Sequence, residues 1–96
     1  ALESSNGHKA WYINGKRHRE DGPAIESSTG YKSWWINGKR HREDGPAVVY
    51  ANGNKEWEIN DNNITIEVEE WIITNNIPDY SFWTNKEIAL FKLKFL

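Results

Sequence analysis

The chain contains no cysteine and no methionine. Without cysteine there is no disulfide framework, no thiolate nucleophile and no Cys-based zinc site. The default reading is a soluble protein of a reducing, cytoplasmic compartment. Long apolar runs are missing as well. Nothing approaches the roughly 18 consecutive apolar residues that a membrane span needs, and no basic-then-apolar start marks a signal peptide. Charge of one sign is scarce: the net charge is −2, too small to require a polyanion or a polycation as partner. The charge is unevenly spread. Residues 1–53 carry eight Lys/Arg against six Asp/Glu, and residues 54–96 carry four against eight. Glycine stops early, since all seven glycines lie at or before Gly53. One kind of structure therefore gives way to another soon after that residue.

What the chain does have is bulk and repetition. A chain of 96 residues buries only roughly 60–70% of its unfolded surface, so its core must come from few, large side chains. Six Trp, four Tyr and three Phe supply them. The string Ile13-Asn-Gly-Lys-Arg-His-Arg-Glu-Asp-Gly-Pro-Ala24 recurs without change as Ile36–Ala47. A shift of 23 residues superposes Trp11, Trp34 and Trp57, then Ile13, Ile36 and Ile59, and also the glycines at 7, 30 and 53. The segment from Ala1 to Gly7 matches that from Ala24 to Gly30, so the chain starts in mid-repeat, as a fragment of a longer array would.

Inside a unit the punctuation predicts β structure. Trp34-Trp35-Ile36 and Ala47-Val48-Val49-Tyr50 are short aromatic or β-branched runs bounded by turn residues. Asn14-Gly15 and Asn37-Gly38 favour a tight hairpin turn with positive φ at both central residues. Gly22-Pro23 and Gly45-Pro46 break any ladder. The fold class expected is mainly β with a C-terminal α cap: an antiparallel meander of tandem 23-residue hairpin repeats over residues 1–63, closed by two short helices within 64–96. Alternation sends Trp11 and Ile13, Trp34 and Ile36, and Trp57 and Ile59 to one face, read as the core ladder. Tyr12, Trp35 and Glu58 fall on the other, read as at least partly open because its third member is a charge.

The third unit decays at Asn60-Asp-Asn-Asn63, and the spacing then becomes helical. Val68, Trp71 and Ile72 share a face, which predicts a helix over about 65–75 ended by Asn75, Asn76 and Pro78. Thr84-Asn-Lys-Glu87 is a capping box, flanked by Trp83 and Ile88 at the spacing of a hydrophobic staple. A second helix is expected over about 85–94, with a terminal strand through Phe91-Lys-Leu-Lys-Phe95 as its alternative. The two helices would cover the apolar end of the array.

The period, with its aromatic, Asn-Gly-Lys, His and Gly, resembles the MORN repeat. More narrowly, Ile-Asn-Gly-Lys-Arg-His-Arg-Glu-Asp-Gly-Pro-Ala is similar to MORN-like variant repeats of large-phage and giant-virus proteins. Arg19 and Arg42 depart from the ordinary unit, which has Gly after the His. The resemblance implies a non-catalytic array for protein contact, with a viral or phage inhibitor of a host protein in the host cytoplasm as one form. It names no shared activity, so function is carried over by analogy.

Two sets of residues compete for the site. Tyr12, Trp35, Arg17, Arg40 and Glu58 form a candidate partner-binding face for a protein. His18, Glu20, Asp21, His41, Glu43 and Asp44 could hold a divalent metal or do acid–base work. Their repetition favours a structural corner instead, in which Arg40 or Arg42 pairs with Glu20 or Asp21 across units and each His meets a carbonyl. A metal-dependent enzyme on these corners is the alternative function. A single-stranded nucleic-acid strip of Arg17-His-Arg19 and Arg40-His-Arg42 beside Tyr12 and Trp35 is another, disfavoured by the interleaved carboxylates. No catalytic residue, metal or cofactor is assigned. An exposed strand edge leaves a route to homo-oligomers.

Overall fold

The computed structural model describes the backbone of residues 2–3 and all of residues 7–96. Among the described residues, twelve strands of two residues each precede two helices. They are β1 (Leu2–Glu3), β2 (Lys9–Ala10), β3 (Tyr12–Ile13), β4 (Lys16–Arg17), β5 (Ile25–Glu26) and β6 (Lys32–Ser33), followed by β7 (Trp35–Ile36), β8 (Lys39–Arg40), β9 (Val48–Val49), β10 (Lys55–Glu56), β11 (Glu58–Ile59) and β12 (Asn62–Asn63). The helices are α1 (Thr65–Thr74) and α2 (Asn85–Phe95), with a single 3-10 turn at Tyr80–Phe82 between them.

The strands do not form the one continuous meander that the sequence suggests. Six of them make an antiparallel sheet in the order β1-β2-β5-β6-β9-β10, while β3–β4, β7–β8 and β11–β12 are separate two-stranded hairpins. The chain leaves the large sheet at Trp11, Trp34 and Trp57, which stand between sheet strand and hairpin strand. Each Trp backbone is tied to the chain on its far side. The N–H groups of Trp11 and Trp34 donate to Ala24 and Ala47, both at 2.8 Å, and the three Trp carbonyls accept from His18, His41 and Ile64. The tied bends at Trp11, Trp34 and Trp57 therefore set each hairpin outside the sheet.

The hairpin turns follow the residue types that make them. Asn14 and Gly15 have φ of 53° and 76°, Asn37 and Gly38 of 52° and 79°, so both central residues lie in the left-handed region that a two-residue hairpin needs. The third turn reaches the same geometry without glycine, at Asn60 (50°) and Asp61 (67°). Asp61 is a strained choice there, and its side chain compensates by accepting the Arg40 N–H at 2.7 Å.

The core is not the ladder of Trp11, Trp34 and Trp57 with their isoleucines. Only its last rung is buried. Trp57 and Ile59 pack with Val68 and Phe91, and Ile64, Trp71, Ile72, Tyr80, Trp83 and Phe95 close around them. Ile36 is half-buried and Ile13 is 53% exposed. The rings of Trp57, Trp71, Trp83, Phe91 and Phe95 meet at centroid separations of 5.0–6.2 Å, in the range where aromatic pairs attract. The helices cover one end of the β region.

Both helix ends are secured by side-chain or backbone bonds. Asn76, at φ 53°, ends α1 in the left-handed conformation. Its N–H reaches Ile73 O and the next N–H, of Ile77, reaches Ile72 O at 2.9 Å, which is the Schellman pattern. The capping box forms at α2, where the Thr84 N–H and hydroxyl both donate to Glu87 Oε1 at 2.6 Å. That cap selects the helix over a terminal strand.

Candidate interaction surface

The five residues Tyr12, Arg17, Trp35, Arg40 and Glu58 are brought into one unbroken row. Tyr12 pairs across its hairpin with Arg17, and Trp35 with Arg40. Cross-strand partners put their side chains on the same side. Arg17 Cζ lies 5.0 Å from the Trp35 ring centroid and Arg40 Cζ lies 5.4 Å from it, so one indole is flanked by two guanidinium groups. The ring is held by its own N–H, which donates to Ser33 Oγ at 2.8 Å; Ser33 is fully buried in the large sheet. Arg40 Nη1 then meets Glu58 Oε2 at 3.3 Å.

Glu58 corrects the expectation of an open third position. It is only 5% exposed, so its carboxylate is a structural partner of Arg40 and not a surface charge. Burial pushes its pKa above the usual carboxylate value, and the attraction of Arg40 only partly opposes this. For Arg40 burial is the largest single effect and acts downward, but the charge and hydrogen bond of Glu58 together with Tyr31 and Tyr50 outweigh it and the pKa rises. The pair is imperfectly satisfied, since the buried Arg40 Nε has no hydrogen-bond partner. Arg17 differs from Arg40. Eighteen residues beyond Arg40 stands Glu58, whereas eighteen beyond Arg17 stands Trp35, and among the described residues Arg17 has no carboxylate within ion-pair distance.

The row continues where sequence reasoning did not look. Asn63, the cross-strand partner of Glu58, donates from Nδ2 to Glu56 Oε2 at 3.1 Å, and the Tyr50 hydroxyl donates to Glu56 as well. That bond, ahead of burial, pushes the Tyr50 pKa up. Tyr31 packs edge-on to Tyr50 at 5.6 Å. The available signal was strand alternation. Tyr31 stands two residues from Ser33, and Tyr50 two from Val48, the register partner of Ser33.

The charged corners pair differently from the expectation. Neither Arg40 nor Arg42 pairs with Glu20 or Asp21; Arg40 meets Glu58, and the side chains of Arg19 and Arg42 bind locally. Arg19 sits over the Trp11 ring and Arg42 over the Trp34 ring, each with its Cζ 3.9 Å from the ring centroid. Nε binds the acid two residues on, Asp21 at 3.0 Å and Asp44 at 2.8 Å, and Nη1 binds the carbonyl of Pro23 or Pro46. The physical reason is local. The Gly-Pro bend brings its carbonyl and the Asp back over the indole, and a planar guanidinium fits between them. A Cβ on Gly22 or Gly45 would lie 3.1 or 2.7 Å from the Arg Cζ, which gives these glycines a packing role. In the third unit Trp83, from the segment before α2, and Phe91 of α2 take over this task against Trp57.

His18 and His41 each meet an N–H and not a carbonyl. His18 Nδ1 accepts from the Asn37 N–H at 3.0 Å, and His41 Nδ1 from the Asn60 N–H at 3.2 Å. This requires the tautomer with its proton on Nε2, and His41 Nε2 lies 2.7 Å from Glu43 Oε2. Glu20 stands farther from His18 Nε2, at 3.6 Å. Both corners line a cleft of about 900 Å³ with Trp34 and Ile36 in it and Asn85, Ile88 and Lys92 of α2 along one side. Among the described residues, no group of three His, Asp or Glu side chains is arranged to hold a metal ion. No helix among the described residues is long and apolar enough to cross a membrane. Comparison with protein-family models, with curated proteins and with solved structures finds nothing that matches this chain.

Proposed function

We propose that the chain is a non-catalytic protein-interaction module built from tandem 23-residue MORN-like repeats, and that a partner protein docks along the row from Tyr12 through Arg17 and Trp35 to Arg40. The observation that carries this is the Trp35 indole set between two guanidinium groups, one of them without a carboxylate partner among the described residues, and a tyrosine on the same row that is 44% exposed. Tryptophan, tyrosine and arginine are the side chains that contribute most when buried at an interface. The engaged histidines and arginines of the corners support a structural role for them. The resemblance to phage and giant-virus repeats supports a host protein as the partner, bound and inhibited in the host cytoplasm.

A photo-crosslinking residue at position 12, compared with one at position 69 on the exposed side of α1, tests the reading in an extract of the cells where the protein acts. A discrete protein adduct from position 12, absent from position 69 and lost with Arg17→Ala, is the expected result. Adducts that form equally from both positions, or that ignore Arg17→Ala, overturn it.

A further inference from the structure

The hairpins are joined to one another by one bonding pattern used twice. At the first junction the Asn37 N–H meets His18 Nδ1 at 3.0 Å, the Gly38 N–H meets Arg17 O at 2.9 Å, and the Arg19 N–H meets Trp35 O at 3.1 Å. At the second the Asn60 N–H meets His41 Nδ1 at 3.2 Å, the Asp61 N–H meets Arg40 O at 2.9 Å, and the Arg42 N–H meets Glu58 O at 3.3 Å. In both, an extended triplet centred on histidine offers a carbonyl, an imidazole nitrogen and an N–H to the edge of a hairpin. The turn N–H groups splay outward because both turn residues are left-handed. A single strand carbonyl satisfies one of them, and the histidine side chain satisfies the other.

Hairpin β3–β4 presents the same edge. Its turn has the φ values of the second hairpin to within a few degrees, so the N–H groups of Asn14 and Gly15 and the carbonyl of Tyr12 are disposed as their counterparts are. Among the described residues none of these three groups is bonded outside its own hairpin. The apolar side chain that accompanies them is uncovered too. Ile59 is 9% exposed and Ile36 is half-buried in the cleft beside the corner at Arg19–Gly22, whereas Ile13 is 53% exposed.

We propose that the outer edge of β3–β4 is a docking site for a partner polypeptide that presents an extended Arg-His-Arg triplet, with a neutral histidine received by the Asn14 N–H and the flanking backbone received by Gly15 and Tyr12. The two internal junctions define this chemistry, which adds a side-chain requirement to ordinary strand addition. A second folded copy of this chain does not fit, because its triplets at Arg17–Arg19 and Arg40–Arg42 already hold its own hairpins. The edge adjoins the face that carries the Tyr12 and Trp35 rings, since Arg17 of the first triplet reaches the Trp35 ring. The histidine requirement belongs to the edge alone and the loss with Arg17→Ala to the ring face alone, so the two readings fail separately.

The test titrates the ¹⁵N-labelled full chain with a synthetic peptide of the sequence of residues 15–24, followed by amide chemical shifts. The Asn14 and Gly15 amide protons are expected to move downfield and saturate with a Kd of about 1 mM or tighter. The same peptide with His18→Ala should bind at least fivefold more weakly. A chain carrying Ile13→Lys, with unchanged resonances at Val68 and Phe91, should also bind at least fivefold more weakly. Absence of a saturable shift at those two amides up to about 5 mM peptide, an equal response to the peptide without histidine, or shifts centred on α2 overturns the proposal.

Discussion

Arg19 and Arg42 show how a small protein covers a tryptophan without spending an apolar residue on it. The guanidinium lies on the indole while its edge is held by an aspartate and a proline carbonyl, so the cation is pre-ordered and the stack is worth more than a mobile surface pair. Arg42→Lys keeps the charge and loses the planar stack. It should lower stability by about 1 kcal/mol, read from urea unfolding. Gly45→Ala displaces the same guanidinium from the other side and should be destabilising by about 1–2 kcal/mol, whereas Gly15→Ala, with open space around its Cβ position, should suffer through its φ of 76° alone. His18→Ala combined with His41→Ala removes two junction acceptors and should reduce stability by roughly 1–3 kcal/mol. A reading in which these histidines are catalytic expects the fold to be unaffected.

At the scale of elements, the helix ends carry a testable pH dependence. Ser81 holds the Asp79 carboxyl below its ordinary pKa, and Thr84 does the same for Glu87. Both therefore contribute stability above the unfolded carboxylate range, and the contribution is lost as pH falls through their depressed folded values. Glu58 has the opposite sign. Its raised pKa means that its contribution is present below the unfolded value and is lost as pH rises through the folded one. Thermal melting from pH 7 to pH 3 should show a smaller fall in Tm for Asp79→Asn or Glu87→Gln than for the parent chain, and a larger fall for Glu58→Gln. The Schellman end of α1 gives a second check. Asn76→Val should destabilise by about 1 kcal/mol because a β-branched residue resists a φ of 53°.

For the whole molecule, burial rises along the chain from Ile13 through Ile36 to Ile59, and stability should follow it. Phe91 is fully buried against Trp57, Trp71, Trp83 and Phe95, and Phe91→Ala is expected to lose about 3–5 kcal/mol. Hydrogen exchange should be fastest in β3–β4, intermediate in β7–β8 and slowest in β11–β12 with α1. Equal protection of the three hairpins would mean that the helical end does not anchor the β region. The extents of 44 × 28 × 22 Å describe a short rod secured at one end, with its candidate docking row along the side.

Much of this was legible in the residues, because it depends on local chemistry. Asn-Gly turns, Gly-Pro breaks, the Thr84–Glu87 box and the Asn76 helix end act within a few residues of themselves. Tyr12, Trp35 and Glu58, grouped by alternation, are linked in the structure through Arg17 and Arg40. What local chemistry did not contain was which of several equivalent partners each group would take. Alternation made three Trp–Ile rungs look alike, and only the packing of α1 and α2 at one end made the third a core and left the first exposed. The His-Arg-Glu-Asp run fixed the charges at a corner. The bend at each tryptophan, by folding the chain back on itself, gave Arg42 to its own indole and turned His41 toward the next hairpin.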